Sequence, residues 1–233
     1  MIYITGDTHG DFNRIYDFCC KNKTKKEDLL IILGDSGINF SGREKDRVKK
    51  VFLSKLPITL FCIHGNHEQR ASTIESYHEK TFCGGIVYQE KMYPNILFAK
   101  DGEIFHLNGS KTIVIGGAYS VDKNMRLKNG YGWWADEQPS PKIKRYVEKQ
   151  LEANGWKVDV VLTHTTPYKY EPIEAFLPEV DQSTVDNSTE KWLDTIEERL
   201  EYQKWYCGHF HTMKRIDRIE IMFQNFAEFY KKY

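Results

Sequence analysis

Residues 2–10 read Ile-Tyr-Ile-Thr-Gly-Asp-Thr-His-Gly: a short apolar strand over Ile2–Thr5 that runs straight into Gly6-Asp7-Thr8-His9-Gly10. Four more segments repeat this grammar, an apolar run followed at once by a polar donor. They are Gly34-Asp35 after Leu29–Leu33, His64-Gly65-Asn66-His67-Glu68 after Ile58–Ile63, His164 after Val158–Thr163, and Gly208-His209-Phe210-His211 after Trp205–Cys207. Between the first three runs lie amphipathic patterns over Phe12–Lys21 and Arg43–Leu56. Continuous apolar strands alternating with amphipathic helices form β-α-β units, whose sheet is covered on both faces. In such sheets ligands bind beyond the carboxyl ends of the strands, so five donor-bearing ends converge on one crevice. The glycines suit tight turns and close approach there.

The rest of the chain extends this frame. Ile86–Tyr88, Ile96–Phe98, Glu103–Leu107 and Lys111–Ile115 read as strands of an antiparallel meander with short Gly/Asn connections. Ser120–Pro139 has no clean period and reads as a long functional loop or lid. Ser140 caps a helix with Pro141 in its first turn, reaching about Ala153. Pro167–Ser188 is a polar, acidic loop, Thr189–Tyr202 a helix, and Lys214–Phe223 two short strands. With no repeat or linker, residues 1–233 are expected to form one domain with two sheets, carrying a substrate loop or lid over 116–139.

Composition narrows the function. Thirty-three basic residues balance thirty-three acidic ones, so the global basic excess of a phosphate-neutralising nucleic-acid binder is missing. The basic runs Lys21–Lys26, Arg43–Lys50 and Lys142–Lys149 lie in or beside amphipathic helices and read as solvated faces. Five scattered cysteines form no C-x-x-C pair. No leader pattern and no run long enough to span a bilayer is present, so a reduced, cytoplasmic protein is expected, with no membrane and no evident protein partner.

Asp, His and Asn together suit a pair of divalent cations, with imidazole and carboxylate favouring Mn²⁺, Fe or Zn²⁺ over all-oxygen sites. Taken singly, Asp7 or Asp35 reads equally as a turn or cap residue, and His64 reads as structural because its neighbours supply the donors. His78 and His106 lie outside every motif. Yet six of the eight histidines fall at the strand ends.

Asp-x-His, Gly-Asp, Gly-Asn-His-Glu, His and Gly-His-x-His, in this order from Asp7 to His211, resemble the calcineurin-like metallophosphoesterase superfamily. The resemblance implies an α/β fold, a four-layer α-β-β-α sandwich with two mixed central sheets. It assigns Asp7, His9 and His211 to one metal ion and Asn66, His164 and His209 to another, with Asp35 as the bridge. His67 would sit near the leaving group as acid or charge stabiliser. The implied reaction is in-line attack on a phosphoester by a metal-activated hydroxide, with two divalent ions, Mn²⁺ first among them.

The protein Ser/Thr phosphatase branch continues its second motif with Asp-Arg-Gly, whereas Asp35-Ser36-Gly37-Ile38-Asn39 stands here, and His164 is followed by Thr165-Thr166-Pro167 rather than Gly-Gly. A small phosphoester, such as a nucleotide or a nucleic-acid end, therefore fits better than a phosphoprotein. In Gly116–Pro139, Lys123 and Arg126 are candidates to hold a phosphate and Trp133 or Trp134 to stack on a base. The alternative is that Tyr119 and the tryptophans pack the loop onto the sheet. Glu68 stands where it could orient His67. A non-catalytic scaffold would be expected to lose ligands, and every ligand position is filled.

Overall fold

The computed structural model describes residues 1–232; Tyr233, the last residue of the expected domain, lies outside them. In chain order the elements are β1 (Ile2–Thr5), α1 (Phe12–Asn22), β2 (Leu29–Ile32), α2 (Arg43–Ser54), β3 (Thr59–Cys62), β4 (Tyr77–Phe82), β5 (Gly85–Glu90), β6 (Ile96–Ala99), β7 (Ile104–Leu107) and β8 (Ser110–Ile115). There follow α3 (Lys123–Asn129), α4 (Pro141–Ala153), β9 (Val160–Thr163), α5 (Ser188–Glu197), β10 (Lys204–Cys207), β11 (Lys214–Ile216), β12 (Ile219–Ile221) and β13 (Phe226–Glu228).

Two mixed sheets result. One runs β13-β1-β2-β3-β6-β5-β4 and the other β11-β12-β10-β9-β8-β7. Within them β1, β2, β3 and β6 are parallel, as are β8, β9, β10 and β12.

Strand alternation explains the four layers. In β2, Leu29 and Ile31 point into the core between the sheets with Phe61, Val114 and Leu162, while Leu30 and Ile32 pack outward against Phe12, Ile15 and Leu53 of α1 and α2. In the second sheet Val161 and Trp205 face outward, onto Val147 and Leu151 of α4 and Leu193 and Ile196 of α5. The parallel strands β2, β3, β6 and β9 are thus buried along almost their whole length, as the continuous apolar runs required. The expected four-layer α/β sandwich is the observed fold.

Three expectations change. The middle strands are not one meander: β5 and β6 pair in the first sheet, β7 and β8 in the second, and the chain crosses between sheets from Ala99 to Ile104. The sequence reading omits the edge strands β4 and β13. Tyr-His-Glu-Lys-Thr-Phe in β4 is half-exposed and carries no apolar run, since an edge needs little burial. The helix expected over Thr189–Tyr202 ends at Glu197, beyond which Glu201 bridges to Lys157 in extended chain.

Candidate metal centre

The parallel strands of both sheets end on one side of the molecule, and the loops leaving them carry the donors. Asp7 follows β1, Asp35 follows β2, Asn66 follows β3, His164 follows β9, and His209 and His211 follow β10. The turns are tight enough to require glycine. A Cβ on Gly65 would lie 2.0 Å from Asp35 Oδ1, one on Gly208 2.2 Å from Asp7 Oδ1, and one on Gly34 2.1 Å from His164 Nδ1. Four donor residues themselves adopt positive φ: His9 (45°), Asp35 (45°), His209 (68°) and His211 (50°). That conformation costs a non-glycine residue about 1–2 kcal/mol, and such residues cluster where function holds them.

Two donor groups share Asp7: Asp7 with His9 and His211, and Asp7 with Asp35 and His164, each with its ligand atoms within 4.8 Å of one another. Asp35, a member of the second group, also faces the first: its Oδ2 is 3.8 Å from His9 Nε2 and its Oδ1 3.7 Å from His164 Nε2. Asn66 Oδ1 stands 2.8 Å from His164 Nε2 and 3.1 Å from His209 Nδ1. All seven expected ligand residues thus meet at one place.

The donor chemistry fits cations. Asp7 is 1% exposed, and its Oδ2 has no hydrogen-bond partner although it lies 3.4 Å from His211 Nε2 and 3.6 Å from His9 Nε2. His9 Nε2 and His211 Nε2 face each other at 2.8 Å. His164 Nδ1 is 2.7 Å from the Leu33 carbonyl, which can only accept, so the ring's Nε2 lone pair is directed at the carboxamide and carboxylate oxygens. Lone pairs converging on lone pairs, with a backbone carbonyl behind the ring setting the tautomer, is the arrangement of a metal site.

Electrostatics follow. Burial alone would raise the pKa of Asp7, but the His211 and His9 rings facing its carboxylate hold it well below the usual carboxylate range. Burial pulls His209 well down. It also lowers His67, an effect that Asp35 opposes and Arg126 reinforces.

Glu68 does not orient His67. Its Oε2 accepts from Ser36 Oγ at 2.5 Å and its Oε1 from the Gly65 amide at 3.0 Å, so it braces the loops after β2 and β3 against each other. Burial, then Asp35, pushes its pKa up to about 7. His67 is placed by its own backbone, which donates to Asp35 Oδ1 at 2.8 Å.

His64 is buried with neither ring nitrogen hydrogen-bonded. It is absent from both donor groups.

The 116–139 segment is more ordered than its sequence suggests. It contains α3 and is tied at both ends by the buried Arg70–Asp101 ion pair: Asp101 Oδ1 accepts from the Gly116 amide at 2.6 Å, and Arg70 Nε donates to the Asp136 carbonyl at 2.7 Å. Ser120 accepts from Asn66 Nδ2 at 2.9 Å, joining the segment to the donor cluster. Arg126 pairs with Asp122 and borders a hollow of about 310 Å³ with Lys49, His9, His67 and His211. Lys123 and Trp133 turn to each other instead. The ammonium lies 4.5 Å from the indole centroid, Trp133 Nε1 donates to Glu137 Oε2 at 2.7 Å, and Trp134 packs edge-on against Phe40.

A second, larger cleft of about 560 Å³ also borders His67 and His211. Nearly half of its lining comes from residues 168–187, expected from the sequence only as part of a polar, acidic loop. Helical spacing gave no sign of it, because this segment folds as short single turns at Tyr168–Tyr170, Ile173–Ala175 and Gln182–Thr184.

Two facing sheets with Asp, His and Asn donors paired at their parallel strand ends define a class, the metal-dependent phosphoesterases. The chain belongs to the calcineurin-like phosphoesterase family, whose sequence model matches residues 1–213. Metal-dependent phosphoester hydrolysis is the general activity of that family. Among solved structures the chain is similar to TT1561 of Thermus thermophilus, at 12% identity and a TM-score of 0.50, with 95% of this chain and 87% of the other covered. A second structure matches at 13% identity and a TM-score of 0.51, covering 95% and 88%. At such identities the likeness speaks for the fold. No curated protein matches the chain significantly. Among the described residues, no helix is long and apolar enough to cross a membrane.

Proposed function

We propose that this chain is a dinuclear-metal phosphoester hydrolase acting on a small phosphoester. The observation that carries the reading is the orphaned Asp7 Oδ2, buried in a donor cluster where Asp35 turns one oxygen to His9 and the other to His164. In this reading Asp7, His9 and His211 hold one ion, Asn66, His164 and His209 the other, and Asp35, with one oxygen towards each group, spans them. Mn²⁺, Fe and Zn²⁺ all suit these donors. Bound there, such ions supply Lewis-acid stabilisation of phosphoryl charge and lower the pKa of water.

The chain's own groups do the rest. Arg126 and Lys49 border the hollow on one side of His67 and can hold phosphoryl oxygens. His67, whose pKa burial lowers and Asp35 raises, is the group to protonate or hydrogen-bond the leaving oxygen. Lys123 and Trp133 serve the packing of the lid. The five cysteines are free, which fits a reducing, cytoplasmic setting.

The test is turnover of an aryl phosphomonoester and a bis-aryl phosphodiester after chelation and after adding Mn²⁺. Hydrolysis of at least one ester that vanishes with chelation and returns with metal is expected. Silence on both with metals bound would favour the scaffold reading.

A further inference from the structure

The larger cleft carries a charge pattern that phosphoryl chemistry does not call for. The donors Asp35, Asn66 and His209 form its metal side. The rings of Tyr119, Tyr168, Phe176 and Phe210 also line it, the last two stacked at 6.1 Å and 17°. Among the described residues no lysine or arginine lines this cleft, while Glu171 and Glu190 do. Glu190 is 4% exposed, and its Oε2 makes no hydrogen bond of good geometry, although the Thr165 hydroxyl neighbours the carboxylate.

Two cations stand beside the cleft without lining it. Lys144 Nζ donates to the Ser188 carbonyl at 3.2 Å, and Lys191 Nζ lies 5.3 Å from the Tyr168 ring centroid. Burial first, and Glu190 next, push the Glu171 pKa up to about 7, with Lys191 opposing the rise.

A buried carboxylate oxygen without a partner is costly. A donor on the ligand removes that cost, whereas a second phosphate in the cleft would meet like charge. Aromatic faces beside carboxylates attract cations and N–H edges. The hollow beyond His67, with Lys49 and Arg126, has the opposite character. The two openings therefore sort a substrate by polarity across the donor cluster.

We propose that the larger cleft seats the organic part of the substrate, and that this part presents an N–H donor on an apolar or aromatic body to Glu171 and Glu190. The donor is either an ammonium group or the exocyclic amine of a nucleobase. The proposal rests on the phosphoesterase reading above and names its substrate class.

Matched esters test it on the Mn²⁺-loaded protein. Phosphoethanolamine against ethyl phosphate probes the ammonium, and adenosine 5′-phosphate against purine riboside 5′-phosphate probes the nucleobase amine. Each is supplied both as the monoester and as its p-nitrophenyl diester, with p-nitrophenyl phosphate and bis-p-nitrophenyl phosphate as generic controls. At least one amine-bearing ester is expected to exceed its amine-free partner in kcat/KM by about tenfold or more, the worth of a hydrogen bond to a charged group. That ratio should fall to near one in Glu171→Gln, and in Glu190→Gln if that buried variant folds. The pair that shows the ratio identifies the source. Hydrolysis of the controls with no preference in either pair, or a preference unchanged in Glu171→Gln, overturns the subsite alone. Silence on every ester, controls included, overturns the hydrolase reading and the subsite with it.

Discussion

Gly65 has no room for a methyl group: its Cβ would fall 2.0 Å from Asp35 Oδ1 and 2.2 Å from the Asp35 amide nitrogen. Gly65→Ala should therefore displace Asp35, abolish turnover and reduce bound metal, with near-normal metal content and rate as the refuting result. His67→Ala should behave differently. Turnover should drop by about 10²-fold, typical of losing a general acid–base group, while elemental analysis finds the metals retained; an unchanged rate would remove His67 from the mechanism. At this scale the sequence was informative about donors, since Asp7, His9, Asp35, Asn66, His164, His209 and His211 each follow an apolar strand and all seven converge. It was silent on the left-handed backbone at His9, Asp35, His209 and His211, which the surrounding fold imposes. It pointed Glu68 at His67, whereas its partner is Ser36, 32 residues away in the chain. Such pairings are tertiary, and no local pattern encodes them.

Among the elements, local chemistry was legible where it is self-contained. Ser140 accepts from the Ile143 amide at 3.3 Å, with Pro141 at the helix start, as the Ser-Pro pair indicated. Ser140→Ala should lower stability by about 1 kcal/mol in denaturant unfolding without altering kcat; a loss of activity at equal stability would mean that α4 reports to the site in some other way. The segments that resisted reading are those whose shape comes from distant contacts. The 116–139 stretch is organised by Arg70, Asp101 and Asn66 rather than by its own periodicity. Residues 168–187 wall a cleft through isolated turns. The middle strands were recognisable one by one, but their division between two sheets depends on a crossover that alternation alone cannot reveal.

For the whole molecule, the two sheets bury one common core and turn the ends of their parallel strands to the same side, so that donors more than 200 residues apart, such as Asp7 and His209, come within 2.9 Å. That architecture was implied by the order of the motifs and is the observed one. The two openings beside the donor cluster, one basic and one aromatic and acidic, were not, because each is assembled from several loops. The central claim is that these loops build one shared site for two ions, with Asp35 spanning it. Elemental analysis of the chain and of Asp35→Asn, each stripped by chelation and reloaded with Mn²⁺, tests this directly when paired with turnover of the same samples. The unaltered chain is expected to take up two ions with activity rising alongside occupancy, and Asp35→Asn to hold fewer and turn over no ester. Full metal occupancy and undiminished turnover in Asp35→Asn would contradict it.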